Sequence, residues 1–262
     1  MEICDSSAGG TIKLSRRLLA LAGMVTPGNR LADIGTDHGY IPIFLCQTGV
    51  IPSAIAMDVR EGPLSRAEAH IRECGLEDRI RIRLSDGMEQ LGDGEADTVL
   101  IAGMGGRLMH RILSAKSVPA GVTELILQPQ SDVALIRWWI RENGFRIADE
   151  DMVEEDGKYY PMMKALRQKP CGDDDPIPAD PGESDGLRSF SDIARQEMED
   201  AFGPVLLAVH HPVLKQWLEK ELDTTEKILE KLEENNSAKN QCRFRELIEK
   251  KHLLLAALNC CQ

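Results

Sequence analysis

Leu31-Ala32-Asp33-Ile34-Gly35-Thr36-Asp37-His38-Gly39-Tyr40 is the stretch whose reading decides the fold. A short apolar run carries an acid near its end, and Gly-x-x-x-Gly then opens a helix. In doubly wound α/β sheets, ligands bind beyond the carboxyl ends of the strands. Glycines at that place let a ligand approach the backbone, which implicates Gly35 and Gly39. A dinucleotide site would need G-x-G-x-x-G to seat a pyrophosphate on the helix N-terminus. That pattern is absent, and Asp37 stands where a small residue would be wanted. The anionic Asp33 and Asp37 would repel phosphate. They suit a phosphate-free ligand with a positive centre, such as the sulfonium and ammonium groups of S-adenosylmethionine. A plain strand-turn-helix with polar caps could carry the same residues, so the motif needs its surroundings.

Working outward, Leu14, Leu18, Leu21 and Val25 share one helical face before the stretch, and Pro27-Gly28 ends that helix. Arg30 to Ile34 is the first strand, with a helix after Gly39. Ser53 to Met57 is the second, and its helix has Pro63 near the first turn and Gly75 past the end. Arg79 to Leu84, Asp97 to Ala102 and Glu124 to Leu127 are the next three, with helices from about Gly105 and over Asp132 to Asn143. Phe145 to Val153 and Lys158 to Leu166 flank Asp156-Gly157, a strong hairpin-turn dipeptide. Strands alternating with helices imply right-handed crossovers and a mostly parallel sheet. The hairpin adds an antiparallel strand at one side. Seven strands in this order suit a Rossmann-like class I methyltransferase sheet better than a dehydrogenase.

The division expected is a domain over residues 1–167 that binds S-adenosylmethionine, an acidic Pro/Gly-rich linker or insertion over 168–190, and a helical domain over 191–262. In the last, Leu218, Leu222, Thr225, Leu229 and Leu232 repeat at four-three spacing, as do Phe244, Leu247, Lys251, Leu254 and Leu258. Asn235, Asn236 and Ser237 break the two runs, so an antiparallel coiled-coil hairpin is the simplest arrangement.

Other strand ends repeat the logic of the first. Asp58 ends the second strand, where an acid commonly holds ribose hydroxyls. Ser85-Asp86-Gly87 follows the third. Asp86 can accept the exocyclic amine of adenine or cap a helix, and Gly87 allows backbone approach. Ala102-Gly103-Met104-Gly105-Gly106 follows the fourth, with more glycine than a tight turn requires, so backbone contact with cofactor or target is expected. Gln128-Pro129-Gln130 follows the fifth, where amides can hydrogen-bond a base edge.

The formal net charge of −12 argues mildly against nucleic acid, although a local basic patch can sit on an acidic protein. The seven cysteines form no C-x-x-C pair, so neither a disulfide framework nor a structural zinc site is suggested, and a reducing cytoplasm is the natural reading. No run of about 18 apolar residues occurs, so no membrane span is expected, and the polar start lacks a secretory apolar region. Oligomeric state is not legible.

The segments Ala32 to His38, Ile101 to Gly106 and Leu125 to Gln130 resemble the bacterial tRNA (adenine-22)-N1-methyltransferase family, the TrmK-like enzymes. Lys13 to Leu18, Glu154 to Tyr160 and Phe202-Gly203-Pro204 add to the likeness, which runs over nearly the whole chain. Two departures stand out: Gln130 where the family often has Asn, and Gly39 where it often has Ala. The resemblance implies methyl transfer from S-adenosylmethionine to N1 of an adenine in tRNA. A different RNA, a protein or a small molecule is the alternative substrate. On this reading Asp33, Gly35, Asp37, His38, Gly39, Asp58, Ser85, Asp86, Gly87, Ala102, Gly103 and Met104 bind the cofactor. Asp37 supplies negative charge to the reaction with His38 orienting it. Gly105, Gly106, Gln128, Pro129 and Gln130 form the base pocket, and Tyr159 and Tyr160 stack on an extruded base. Lys13, Arg16 and Arg17, which precede the fold, join Arg60, Arg66 and Arg107 in a basic rim for phosphates. No metal is implied.

Overall fold

The computed structural model describes residues 11–168, 190–234 and 240–260. The expected linker over 168–190 and the break at Asn235 to Ser237 lie, but for Gln168 and Phe190, outside the described residues. The chain divides into two compact units, Met1–Gln168 and Lys169–Gln262.

The first unit opens with α1 (Arg16–Met24), whose N-cap Ser15 accepts a hydrogen bond from the Leu18 amide. Then come β1 (Leu31–Ile34), α2 (Tyr40–Gln47), β2 (Ala54–Asp58), α3 (Glu61–Glu73), β3 (Ile80–Leu84), β4 (Thr98–Met104), α4 (Gly106–Ala115), β5 (Glu124–Pro129), α5 (Val133–Glu142), β6 (Phe145–Glu155) and β7 (Lys158–Arg167). The seven strands make one sheet in the order β3-β2-β1-β4-β5-β7-β6. The first five are parallel, and β7 runs antiparallel between β5 and β6. This is the Rossmann-like class I methyltransferase sheet expected from the sequence.

The central strands are buried on both faces, which is why they read as apolar runs without alternation. Ala32, Ile34, Val99, Ile101, Leu125 and Leu127 face a core closed by Met109 and Ile112 of α4 and Ile136 and Ile140 of α5. Leu31, Leu100 and Ile126, one residue out of phase, face Leu21 of α1, Ile43 and Leu45 of α2 and Ile71 of α3. Each of the Val, Leu, Ile and Met side chains among them contributes roughly 1.5–3 kcal/mol on burial. The β6–β7 hairpin closes through Asp156 at φ 52° and Gly157 at φ 74°, both left-handed, as the two-residue turn between paired Glu155 and Lys158 requires.

One acid lies deep at the opposite, amino end of the sheet. The Glu124 carboxylate accepts hydrogen bonds from the Thr26 amide (3.0 Å), the Thr26 hydroxyl and the Thr98 hydroxyl (2.8 Å), and pairs with Lys164 Nζ at 2.9 Å. Lys164 also donates to the Met24 carbonyl at 2.9 Å. The end of α1 is thereby fastened to β5 and β7.

The second unit contains α6 (Phe190–Phe202), α7 (Pro204–Ala208), α8 (Pro212–Glu234) and α9 (Asn240–Cys260). Gly203, at φ 99°, separates the first two, and Pro204 stands at the start of α7. The last two fold back on each other as the expected helical arm. Leu218, Thr225 and Leu229 of α8 and Leu247 and Leu254 of α9 are buried. Glu221–Lys250 (2.6 Å) and Glu226–Lys251 (2.8 Å) join the helices across their exposed flanks. Among the described residues, no helix is long and apolar enough to cross a membrane, and no group of three His, Cys, Asp or Glu could hold a metal ion.

Candidate functional site

The chain leaves β1 toward one side of the sheet and enters β4 on the other, so the switch in strand order falls between β1 and β4. The crevice of an open α/β sheet lies there, beyond the carboxyl ends. After Ile34 the backbone turns at once. Gly35 takes φ 78°, and the Gly35 and Thr36 amides both donate to the Met57 carbonyl, at 2.7 and 3.0 Å. This ties the loop after β1 to the end of β2. A Cβ on Gly35 would meet the Met104 methyl at 2.9 Å, so the glycine also clears space toward the end of β4.

Asp33 and Asp58 are buried at adjacent strand ends. Burial pushes the Asp33 carboxyl up to about 6, the Thr36 side chain opposes, and the Asp58 charge adds to the rise. Asp58 Oδ1 accepts the Arg60 amide at 2.8 Å. Asp37 lies further out. Its carboxylate pairs with the Arg66 guanidinium from α3, and His38 Nε2 stands 3.5 Å away. The Arg66 hydrogen bond, chiefly, holds the Asp37 carboxyl below the usual carboxylate range. The His38 ring stacks on both Tyr40 and His70, with centroids 5.0 and 5.2 Å apart. His70 Nδ1 lies 3.1 Å from the His38 carbonyl, while His38 Nδ1 is buried with no hydrogen-bond partner among the described residues.

At the end of β3, the Ser85 hydroxyl donates to the Gly87 carbonyl and accepts the Gln90 amide. Asp86 is exposed, 3.8 Å from Arg111 Nη2. With Glu89, Arg111, Ile112 and Ala115 it lines a pocket of ≈ 230 Å³. At the end of β4, Gly103 is an extra residue between Ala102, paired with Gln128, and Met104, paired with Pro129, and it takes φ 77°. At the end of β5, Gln128 is fully buried. Its Oε1 accepts Arg17 Nη1 at 2.9 Å, and its Nε2 donates to the Pro129 carbonyl at 3.2 Å. The Arg17 guanidinium lies over the Tyr160 ring, 5.2 Å from its centroid.

A methyltransferase-domain family model matches residues 14–163. The tRNA (adenine(22)-N(1))-methyltransferase of Bacillus subtilis (strain 168) is 34% identical over 246 residues, covering 93% of this chain and 96% of its own. This chain belongs to the tRNA (adenine(22)-N(1))-methyltransferase family. The crystal structure of B. subtilis TrmK, an M1A22 tRNA methyltransferase, superposes with a TM-score of 0.77 at 30% identity, over 94% of this chain and 99% of that one. M. capricolum TrmK, solved with the cofactor product S-adenosyl-homocysteine, gives 0.76 at 26% identity, over 95% and 99%. S-adenosylmethionine is the cofactor of the family to which the chain belongs.

For this family member the structure gathers Asp33, Gly35, Asp37, His38, Asp58, Gly103, Met104, Gln128 and Pro129 at the carboxyl edge of the sheet, with Gly39 (φ 68°) as the cap of α2. Several of the expected residues also have local structural reasons that the sequence did not reveal. Gly87, at φ 57°, is required by packing, because a Cβ would lie 2.8 Å from the Ile112 side chain. At Gly106 packing also excludes a side chain: a Cβ there would overlap the Ser131 carbonyl and stand 2.9 Å from that of Asp132. Its amide donates to the Ser131 carbonyl, and Gly105 is the N-cap of α4. The Ser85 hydroxyl is spent on its own turn. Arg16 and Arg17 do not precede the fold but begin α1. Of the expected basic rim, Arg66 is spent on Asp37, Arg17 on Gln128 and Tyr160, Arg60 pairs with Asp58 at 3.7 Å, and Arg107 with Asp132 at 3.4 Å. Lys13, Arg16 and Gln130 are exposed, while Tyr159 is half-buried on the hairpin. His70, stacked on His38, was not anticipated. Arg66 and His70 are four residues apart on α3, a spacing that puts them on one helical face, but nothing in the sequence tells that this face covers the loop after β1.

Proposed function

We propose that this chain transfers a methyl group from S-adenosylmethionine to N1 of adenine 22 in tRNA, in the cytoplasm. The observation that carries the substrate is the 34% identity, over 93% of this chain, to the tRNA (adenine(22)-N(1))-methyltransferase of Bacillus subtilis; the cofactor reading is supported by Asp33 and Asp58, buried at the ends of β1 and β2 beside the switch point of a sheet with no phosphate-seating glycines. A buried carboxyl whose ionisation is opposed by burial gains most from a cationic neighbour. The remaining groups fit the same ligand: His38 Nδ1 is buried and unpartnered among the described residues, and Gly35 leaves a cradle that a Cβ would fill. Asp33, Gly35, Asp37, His38 and Gly39 would hold the methionine part, Asp58 the ribose, Asp86 the adenine, and Ala102, Gly103 and Met104 the floor.

The bound cofactor supplies an electrophilic methyl on a sulfonium. Adenine N1 is a neutral nitrogen with a free lone pair at pH 7, so the chain need supply no strong base. Holding the nucleophile in line and close is worth several kcal/mol. The base becomes cationic on methylation, and Asp37, whose carboxyl Arg66 holds below the usual carboxylate range, would stabilise that charge with His38 orienting it. N1 lies on the pairing edge, so the target must be unpaired or flipped. Gly105, Gln128, Pro129 and Gln130 would line its pocket with Tyr159 and Tyr160 beside it. Lys13, Arg16 and Arg60 would meet phosphates, and the helical unit over 191–262 would extend the RNA contact.

The test is incubation with unmodified tRNA and S-adenosylmethionine, followed by nuclease digestion and mass spectrometry. The expected product is N1-methyladenosine at position 22, lost when that base is replaced. Methyl groups on another position, or a protein that binds the cofactor but leaves tRNA unmodified, would overturn the proposal.

A further inference from the structure

α1 precedes the sheet, and no strand crossover requires it, yet it is fastened at both ends. Its carboxyl end is held through Met24 and Thr26 by the Lys164–Glu124 pair. Near its amino end, the Arg17 amide donates to Glu155 Oε1 of β6 at 3.2 Å. The Arg17 guanidinium joins four elements. It donates to Gln128 Oε1 near the end of β5, lies over Tyr160 of β7, and borders Gly103 of β4, where a Cβ would stand in ordinary contact, 3.8 Å from Nη1.

The consequence falls on Gln128. A buried amide held by its carbonyl cannot turn over, because the turned amide would set its own N–H groups against a guanidinium, which only donates. The Gln128 carbonyl therefore faces α1, and its N–H groups face the Gln128-Pro129-Gln130 loop, where one bonds the Pro129 carbonyl. An arginine suits this place better than a lysine, since one flat group both bonds the amide and lies over the tyrosine.

We propose that Arg17 is a positioning residue for methyl transfer, acting through Gln128 by fixing the polarity of its amide in the loop that receives the target base. This rests on the reading that the loop receives the base. It replaces the phosphate contact that the sequence suggested for Arg17.

The experiment is a double-mutant cycle read by single-turnover methylation of tRNA at saturating cofactor. Arg17→Met should slow methyl transfer about tenfold or more while the Kd values for tRNA and S-adenosylmethionine stay within about twofold. Gln128→Ala should slow transfer similarly, and the double variant should be no slower than Gln128→Ala alone. Arg17→Lys, which keeps charge and stem, should recover part of the rate and guards against a folding defect in Arg17→Met. A phosphate contact predicts the opposite: weaker tRNA binding, a salt slope reduced by about 0.7–0.9, and losses that multiply in the double variant. That pattern would overturn the proposal. A readout independent of the reaction is the ¹⁵N side-chain amide resonance of Gln128, assigned by its loss in Gln128→Ala. It should shift and exchange faster with solvent in both Arg17 variants, and an unmoved resonance refutes the clamp whatever the substrate. A resonance that responds in a protein inactive on tRNA would refute the base-loop reading and leave the clamp standing.

Discussion

Replacing Asp33 with Asn should make the ligand-free protein more stable and the cofactor weaker bound. Asp33 is 9% exposed, and burial, with the Asp58 charge adding, raises its carboxyl from 3.8 to about 6. At 1.36 kcal/mol per unit, a rise of roughly two units amounts to about 3 kcal/mol favouring the neutral form. The folded protein holds this proton more tightly than the unfolded chain does. Between pH 3.8 and about 6 it therefore binds more protons, and its stability falls as pH rises through that window. Above about pH 6 the cost is complete. Asn imitates the neutral acid at every pH. Asp33→Asn should thus exceed the parent by about 3 kcal/mol at pH 7.5, by about 1 kcal/mol at pH 4.5, and by little below pH 3.5. In a unit of this size, 3 kcal/mol corresponds to a Tm rise of roughly 6–12 °C. Urea unfolding of both proteins at the three pH values measures the difference directly, and calorimetry on the same samples gives S-adenosylmethionine affinity. A variant no more stable at pH 7.5 than at pH 4.5, relative to the parent, would refute the claim that Asp33 is held at a cost, and with it the reason offered for cation binding.

Asp37→Asn should slow single-turnover methyl transfer at saturating cofactor by at least tenfold, about 1.4 kcal/mol, and a normal rate would leave Asp37 as a binding residue only. Gly106→Ala should destabilise by about 3 kcal/mol or more in thermal melting, because backbone carbonyls rather than a flexible side chain occupy the Cβ position. Lys164→Met should cost about 3–5 kcal/mol in urea unfolding by leaving Glu124 buried without its cation. Burial alone would raise the Glu124 carboxyl, but the Thr26, Lys164 and Thr98 hydrogen bonds lower it, so its stabilisation is present above pH 4.5 and lost as pH falls below that. In Lys164→Met the loss on acidification should shrink, and a parent-like acid limb would contradict the assignment.

Strand and helix positions were legible because they rest on local chemistry. The Asp156-Gly157 turn needs two left-handed residues, and the buried strands need unbroken apolar runs. The placing of β7 between β5 and β6 was less so, since a hairpin can dock by either strand and only packing decides. The candidate site was legible as strand ends, because parallel strands bring their carboxyl ends to one edge whatever lies between them. The reasons for single residues were not. Gly35, Gly87, Gly103 and Gly106 read alike as glycines open to a ligand, yet Gly87 answers to Ile112 and Gly106 to the turn at Ser131, contacts 25 residues apart in sequence. Arg17 read as a loose phosphate hook for the same reason: its partner, Gln128, is 111 residues away.

The charge of −12 and an RNA substrate need not conflict, because the acids and bases of the site are sorted by depth as well as by sign. The Asp58 side chain is 8% exposed and its partner Arg60 is 76% exposed. The Asp132 side chain is 33% exposed and Arg107 is 87% exposed. Asp33 is buried likewise, and no cation pairs with it among the described residues. A small cation entering the crevice meets carboxylates, whose pull is strongest where water is excluded. A polyanion too large to enter meets the outer guanidiniums first: Arg107 faces the partly exposed Asp132, a weak surface pair, and Arg60 stands 3.7 Å from the buried Asp58, which keeps the Arg60 amide when the guanidinium leaves. Exchange of such a surface partner for a phosphate oxygen costs little, so a paired arginine at the rim remains available to RNA. Arg17 is different, because its partner is a buried amide that cannot turn to water when the guanidinium leaves. The same residue type thus serves two ends in one site, and the exposure of the guanidinium, high for Arg60 and Arg107 and only partial for Arg17, decides which.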